Sequence, residues 1–200
     1  MELMNVINSR ASVRWFTDEK VKDEDLETIL KAATRAPTAF GAEQWLFIVV
    51  KKEDIRRKIH EIILKIHREY YEKARIRKID ENRLKKLVDR FKEGLHLAPI
   101  YIAIYIDLRE RKLKDKYLWL EEELAKQSAC AAIENLILAA HNLGYGTCWI
   151  GLALLAEEEL KEILNPPENT KLITIITLGK PKMEPKAKPR KPLEEVIKII

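Results

Sequence analysis

The chain has 200 residues, enough for one domain with a sizeable core and too few for two ordinary ones. With 46% hydrophobic and 34% charged residues it is not a disordered chain, and 37 basic against 32 acidic residues leave a net charge of only +5. Lys, Arg, Glu and Asp alternate along the expected helices instead of gathering on one face, which speaks for a solvated surface and against a nucleic-acid partner.

A short helix is expected over residues 2–9, ending at Ser9-Arg10-Ala11-Ser12. The next begins at Asp23, which can cap it; Glu24 and Asp25 suit the positive end of its dipole, and Leu26, Ile29, Leu30 and Ala33 share one face before Pro37 stops it. Residues 45–51 read as a buried strand. From Glu53 to Glu93 the pattern is helical and charged, with apolar stripes at Ile55, Ile59, Ile62, Ile63 and Ile66 and at Leu84, Leu87, Val88 and Phe91. A break is expected near Ile79-Asp80-Glu81. Residues 99–107, PIYIAIYID, form a second apolar strand. A long helix should run from Lys116 to Leu143, closed by Gly144. Its second half, Ala129 to Ala140, is apolar nearly all round and must be covered on every side, by this chain's own core or by a second subunit.

Residues 146–151 suit a short strand or turn, 156–164 a helix stopped by Asn165-Pro166-Pro167, and 171–178 a strand. The tail from Lys180 holds four of the eight prolines and is expected to be extended. Its end, Leu193 to Ile200, regains an apolar pattern that suits a strand added to a sheet edge. Helices of unequal length between the strands indicate a mixed α/β layer, in one domain over 1–200 with an extended arm over 180–200. Cys130 and Cys148 read as reduced core residues of a cytoplasmic protein, without disulfide or metal-ligand spacing. No signal-peptide pattern opens the sequence and no uncharged stretch reaches membrane-spanning length. Abundant Lys, Glu and Ile with little Gln fits a thermophilic source.

No GxSxG, P-loop, HExxH or GxGxxG motif occurs. His60, His67, His96 and His141 are scattered and read as surface or satisfied core residues. Four segments remain. Arg10-Ala11-Ser12-Val13-Arg14 puts two guanidiniums and a hydroxyl beside a helix end, a donor set for a phosphate monoester or an ordinary basic turn. Ala36 to Trp45 is a small-residue loop, either a connection or a place where backbone groups approach a flat ligand. Gly144-Tyr-Gly146-Thr-Cys-Trp-Ile-Gly151 holds three of the six glycines, which marks close packing or special dihedrals. Lys180 to Pro192 carries six basic residues against one Glu, a disordered basic tail or a second phosphate clamp.

In this order and spacing the four segments resemble the nitroreductase family from end to end. Arg10-x-Ser12-x-Arg14 is similar to that family's RxSxR. The loop APTAFGAEQW, residues 36–45, stands where the family has APSxxNxQPW. Gly144 to Gly151 resembles GxGTxWIG, and Leu178-Gly-Lys-Pro181 with Lys188-Pro-Arg190-Lys-Pro-Leu193 resembles LGxP followed by KPRxPL. The chain departs where the usual Asn falls at Gly41 and the usual Gln-Pro at Glu43-Gln44.

The resemblance implies an α+β nitroreductase-like fold: a mainly antiparallel central sheet flanked by helices, with the C-terminal strand exchanged between the subunits of a homodimer. It implies one FMN at each end of the interface. Arg10, Ala11, Ser12, Lys188 and Arg190 would hold its phosphate and ribityl chain, and Arg14 would lie near the pyrimidine end of its ring. Pro37, Thr38, Ala39 and Gly41 of the opposite subunit would line the flavin, and the backbone of Ile150 and Gly151 would sit near N5. A further polar contact from residues 70–96 is not assigned. Phe40 is the candidate wall of the substrate pocket, with interface packing as the other reading. The implied activity is ping-pong transfer of hydride from NADH or NADPH through the flavin to a small nitroaromatic or quinone-like acceptor, with no side-chain nucleophile or base. The alternatives are a specialised relative (reductive dehalogenation or flavin-related chemistry) and a non-catalytic dimeric scaffold or basic-tailed nucleic-acid binder.

Overall fold

A computed structural model describes residues 2–74 and 80–200. Four strands, β1 (Trp45–Val50), β2 (Ile100–Asp107), β3 (Gly146–Ile150) and β4 (Thr170–Gly179), form one antiparallel sheet in the order β1-β2-β4-β3. The expected α+β class with an antiparallel sheet is what the chain adopts.

The uninterrupted apolar run of β2 follows from its place inside the sheet, covered on both faces. Ile100, Ile102, Ile104 and Ile106 face one way, onto α2 (Asp23–Ala33) and α5 (Leu118–Asn142). Tyr101, Ala103 and Tyr105 face the other, onto α3 (Glu53–Glu69), α4 (Glu81–Lys92), α6 (Glu157–Leu164) and the 3-10 turn Gly151–Ala156. In β4 the register slips between Ile104 and Tyr105 of its partner, so that Thr174 and Leu172 are paired in turn and Ile173 is the extra residue. This bulge lets Leu172 and Ile175 serve the same core although they are three apart. β1 is the sheet's edge and is half-buried along most of its length, so the buried strand expected there is only partly covered.

A short α1 (Leu3–Ser9) lies against α5, and α5 ends at Gly144 with φ 77°, in the left-handed backbone that glycine favours. Asp23 does not cap α2. Its carboxylate pairs with Lys51, and the cap position, Lys22, makes no side-chain bond. Asp80, inside the expected break, does cap α4 by accepting the Arg83 N–H at 2.8 Å, whereas Ile79 lies outside the described residues.

Two expectations about α5 and the tail change. Ala125, Ala129, Ala132, Leu136 and Ala140 turn inward, which leaves Trp119, Glu123, Gln127, Cys130 and Glu134 as an exposed stripe. The helix is therefore not enclosed by the described residues of its own chain, and Cys130 is exposed where a core residue was expected. Beyond Lys182 the arm is exposed, and Leu193–Glu195 is a single 3-10 turn, not part of a strand. No helix among the described residues is long and apolar enough to cross a membrane.

Candidate functional site

After α1 the chain extends along the free edge of β3. Val13 N–H donates to Thr147 O at 2.8 Å, and Ser12 forms a parallel bridge with Thr147. Contact this close requires Gly146: a Cβ there would stand 2.6 Å from the Val13 side chain. Val13 turns inward with Phe16 and Ala98, so the alternation of an extended segment leaves Ser12 and Arg14 facing out. The same segment anchors the root of the arm, through Thr17 N–H to Lys180 O at 3.0 Å and Lys182 N–H to Trp15 O at 2.9 Å.

The arginines of this segment are poised for an external anion. Arg57, Arg68, Arg83, Arg109 and Arg111 each pair with a carboxylate. Among the described residues Arg10 and Arg14 have no such partner, nor do Arg35, Arg56, Arg90 and Arg190; Arg56 instead donates to Ala98 O at 2.9 Å, Arg90 lies over the Trp15 ring, and Arg14 Nη1 reaches only Ser12 O at 3.4 Å. Two unpaired guanidiniums beside a free hydroxyl match the donor set a phosphate monoester needs. Where β3 ends, Ile150 is buried and Gly151 is exposed. A Cβ on Gly151 would meet only the Trp149 indole at 3.8 Å, so the protein's own packing does not require glycine there.

The small-residue loop is held in an unusual backbone. Phe40, Gly41 and Glu43 have φ of 57°, 60° and 49°. Four contacts fix it: Glu43 N–H to Thr38 Oγ1 at 2.9 Å, Ala39 N–H to Ser128 Oγ at 3.2 Å, Trp45 N–H to Glu43 O at 2.7 Å, and Gln44 Nε2 to Glu121 Oε1 at 2.8 Å. Glu121 is 1% exposed and also accepts the peptide N–H groups of Lys112 at 2.6 Å and Leu113 at 3.1 Å. Burial raises its pKa, but these donors outweigh burial and hold it below the ordinary glutamate value. Gln44, which departs from the family's proline, thus ties this loop to α5, as does the Ala39 N–H on Ser128. Phe40 projects from the loop, 63% exposed.

Histidines that are scattered along the sequence cluster behind the basic segment. His60 and His67, one above the other on α3, stand 5.6 and 5.2 Å from the Phe91 ring. His96 completes the group, 5.5 Å from His67 and 5.7 Å from Phe91. His60 and His67 bond to the carbonyls of Leu95 and Ile63, as expected of satisfied core residues. Among the described residues His96 Nδ1 has no partner. Burial, with the neighbouring charges of His67 and Arg14, pushes the pKa of His96 down to about 3. The seven-residue spacing of His60 and His67 was visible in the sequence; the approach of His96 was not. No metal-binding cluster occurs among the described residues.

Within one chain the structure joins the first and third segments and the root of the fourth, and sets the second apart. Arg10 lies close enough to His141, near the end of α5, to lower that imidazole's pKa, whereas the loop holding Ala39 rests on Ser128. Thirteen residues of helix separate these contacts, about 20 Å at 1.5 Å per residue. Lys188 and Arg190 are exposed, and the Arg190 guanidinium reaches only Lys188 O at 3.4 Å. The mid-chain contact sought over 70–96 overlaps residues 75–79, which lie outside the described residues.

The profile of the nitroreductase family matches residues 7–180. The chain belongs to the nitroreductase family. A protein of Archaeoglobus fulgidus provisionally named an NADH dehydrogenase/NAD(P)H nitroreductase is 32% identical over 186 residues, covering 92% of this chain and 87% of its own length. Iodotyrosine deiodinase 1 of Mus musculus is 33% identical over 185 residues, covering 90% of this chain; the match spans 62% of that protein. Among solved structures, a BluB-like flavoprotein from Clostridium difficile 630 is 28% identical, with a TM-score of 0.76 and coverage of 100% of this chain and 99% of its own. The FMN-bound nitroreductase of Desulfitobacterium hafniense DCB-2 has a TM-score of 0.75 at 24% identity, over 100% and 98% of the two chains, and shares the fold. For a nitroreductase-family chain, the departures at Gly41 and Glu43-Gln44 fall in a loop that its own hydrogen bonds hold in shape.

Proposed function

We propose that this nitroreductase-family chain is an FMN-dependent oxidoreductase, working as a homodimer with NADH or NADPH as donor and a small nitroaromatic or quinone-like acceptor. The observation that carries this reading is the pair of carboxylate-free arginines, Arg10 and Arg14, clipped with Ser12 to the glycine-bearing edge of β3. Arg10, Ala11 and Ser12, with Lys188 and Arg190 of the arm, bind the FMN phosphate and ribityl chain. Arg14 holds a positive charge at the pyrimidine edge, where reduction adds negative charge. The backbone of Ile150 and Gly151 faces the reactive edge of the ring. FMN, when bound, supplies the hydride chemistry, taking two electrons from the nicotinamide and passing them to the acceptor in a ping-pong cycle.

The dimer accounts for two features of the single chain. The exposed stripe of α5 needs a cover. In a two-fold contact residue i meets j and j meets i, so antiparallel pairing of α5 with its copy about an axis near Glu134, the end of that stripe, would carry the loop at Ser128 of one subunit to the Arg10 segment at His141 of the other. Pro37, Thr38, Ala39 and Gly41 then line the partner's flavin and Phe40 walls the acceptor pocket.

Likeness to an iodotyrosine deiodinase at 33% identity favours one second reading, reductive removal of a halide from an aromatic substrate by the same reduced flavin. The test is direct. Purified protein should carry a flavin spectrum, release FMN on denaturation and bleach anaerobically with NADH or NADPH. A colourless protein that takes up no added FMN would overturn both readings. Bleaching by dithionite alone, followed by halide release from a halogenated tyrosine, would select the second.

A further inference from the structure

His141 hydrogen-bonds to Ser9, the residue before Arg10, and its hydrogen bonding defines which ring nitrogen can titrate. Ser9 Oγ has one proton and donates it to Asn5 O at 2.6 Å. Its 2.8 Å contact with His141 Nε2 must therefore run the other way, with the imidazole N–H donating and the serine oxygen accepting. The neutral ring is thus fixed with its proton on Nε2. Nδ1, the nitrogen that gains the next proton, has no hydrogen-bond partner among the described residues.

Few charges surround the ring. α1 has no charged side chain between Leu3 and Ser9, and Arg10 at its end is the charge acting on the imidazole. On α2, whose far end meets α5 through Asn135 Nδ2 and Ala32 O, the acids of the near end are Asp23, Glu24 and Asp25, of which Asp23 pairs with Lys51 and Asp25 accepts a hydrogen bond from the Tyr145 hydroxyl at 2.7 Å; Lys180 Nζ lies 4.2 Å from the centre of the same Tyr145 ring. On α5 itself the nearest acid is Glu134, seven residues and about two turns away. Burial and Arg10 both disfavour the charged ring in the free protein. An anion between Arg10 and His141 would reverse the second influence.

We propose that His141 is a proton-linked member of the phosphate subsite: binding of the FMN phosphate beside Arg10 draws a proton from solvent onto Nδ1, which then serves as a charged donor. The inference rests on the assignment of Arg10 and Ser12 to the FMN phosphate. It adds a pH dependence to FMN retention, so that the protein grips its cofactor more tightly in mildly acidic conditions than the two arginines alone would allow.

The test measures FMN binding to the flavin-free full-length protein by quenching of flavin fluorescence, from pH 5.5 to pH 8, in wild type and His141→Gln. The second ionisation of the phosphate, with a pKa of about 6, falls in the same range but is common to both proteins, so the ratio of their dissociation constants isolates the histidine. That ratio should be about tenfold at pH 5.5 and within about twofold at pH 8. Riboflavin, which lacks the phosphate, should give a ratio near one throughout. A ratio for FMN that does not change with pH overturns the proposal. Should His141→Gln fail to fold, NMR titration of the wild-type imidazole decides it: added inorganic phosphate should raise the pKa of His141, and an unchanged value overturns the proposal. Arg10→Ala separates the two levels of inference. If it leaves FMN affinity intact, the phosphate assignment itself fails; if it weakens FMN while the His141 ratio stays flat, only the proton linkage fails.

Discussion

The peptide N–H of His96 donates to the Arg14 carbonyl at 2.8 Å, which fastens a buried histidine in left-handed backbone, φ 66°, behind an outward-facing arginine. Tyr101 holds the other side of the same residue, its hydroxyl donating to His96 O at 2.8 Å. The basic segment is therefore supported from inside the core at Arg14 as well as along β3 at Val13.

This support has a pH signature. Burial keeps His96 neutral down to about 3, whereas the unfolded residue gains its proton near 6.5. Between those values the unfolded chain binds one more proton than the folded one. Stability is therefore full above about pH 6.5 and falls as the pH drops, by at most about 1.4 kcal/mol per pH unit for this proton. His60 and His67, held low chiefly by burial, add in the same direction. Urea midpoints measured from pH 7 to pH 4 should fall, and His96→Asn, which tolerates positive φ, should flatten the fall. An equal slope in the variant would remove His96 as its source.

Gly146→Ala places a Cβ 2.6 Å from a β-branched neighbour that cannot swing away. The expected cost is about 1–3 kcal/mol, seen as a lower melting temperature, together with weaker FMN retention as Arg10 to Arg14 lift from β3. Val13→Ala in the same chain should restore part of both. Recovery of stability without recovery of flavin would show that the segment's position matters beyond its packing.

Glu121→Ala strips the acceptor from Gln44 and from two peptide N–H groups, and should destabilise the fold by about 3 kcal/mol. Because the folded pKa is depressed, the charge contributes stability above the unfolded value near 4.3 and that contribution disappears as pH falls through the folded value. Denaturant titrations at pH 7 and pH 3 should accordingly show a smaller difference between wild type and variant at the lower pH.

Phe40→Gly separates shape from function. A non-glycine residue in left-handed backbone costs about 1–2 kcal/mol, and glycine returns about 0.5–1 kcal/mol of that through its freer unfolded chain. Stability should hold or rise by up to about 1 kcal/mol. If Phe40 walls the acceptor pocket, KM for a flat aromatic acceptor rises severalfold while bleaching by the donor is unaffected. An unchanged KM would leave Phe40 as an interface residue.

Much of the fold could be read in advance because its signals are local. The unbroken run 99–107 marked an apolar strand, and Gly144 marked the end of α5. The four segments of the candidate site were likewise visible as clusters of glycine, arginine or small residues. Cys130 was misread because cysteine in a run of alanines and leucines carries no sign of which way the helix is turned. Its exposure follows from the rotation that points Ala125, Ala129 and Ala132 at the sheet. The expected capping by Asp23 failed for a similar reason: Lys51, twenty-eight residues away, competes for its carboxylate.

What the sequence determined by itself was the order of the elements, the family and the chemistry available to it, since period, turn residues and motif spacing are properties of neighbours along the chain. Which groups meet was decided only by tertiary structure. The sheet brought Ser12 to Thr147 and His96 to Arg14, while the length of α5 set the small-residue loop about 20 Å from the basic segment it was expected to join. Those distances depend on how helices are turned and where strands pair, and both are fixed by the burial of two core faces at once.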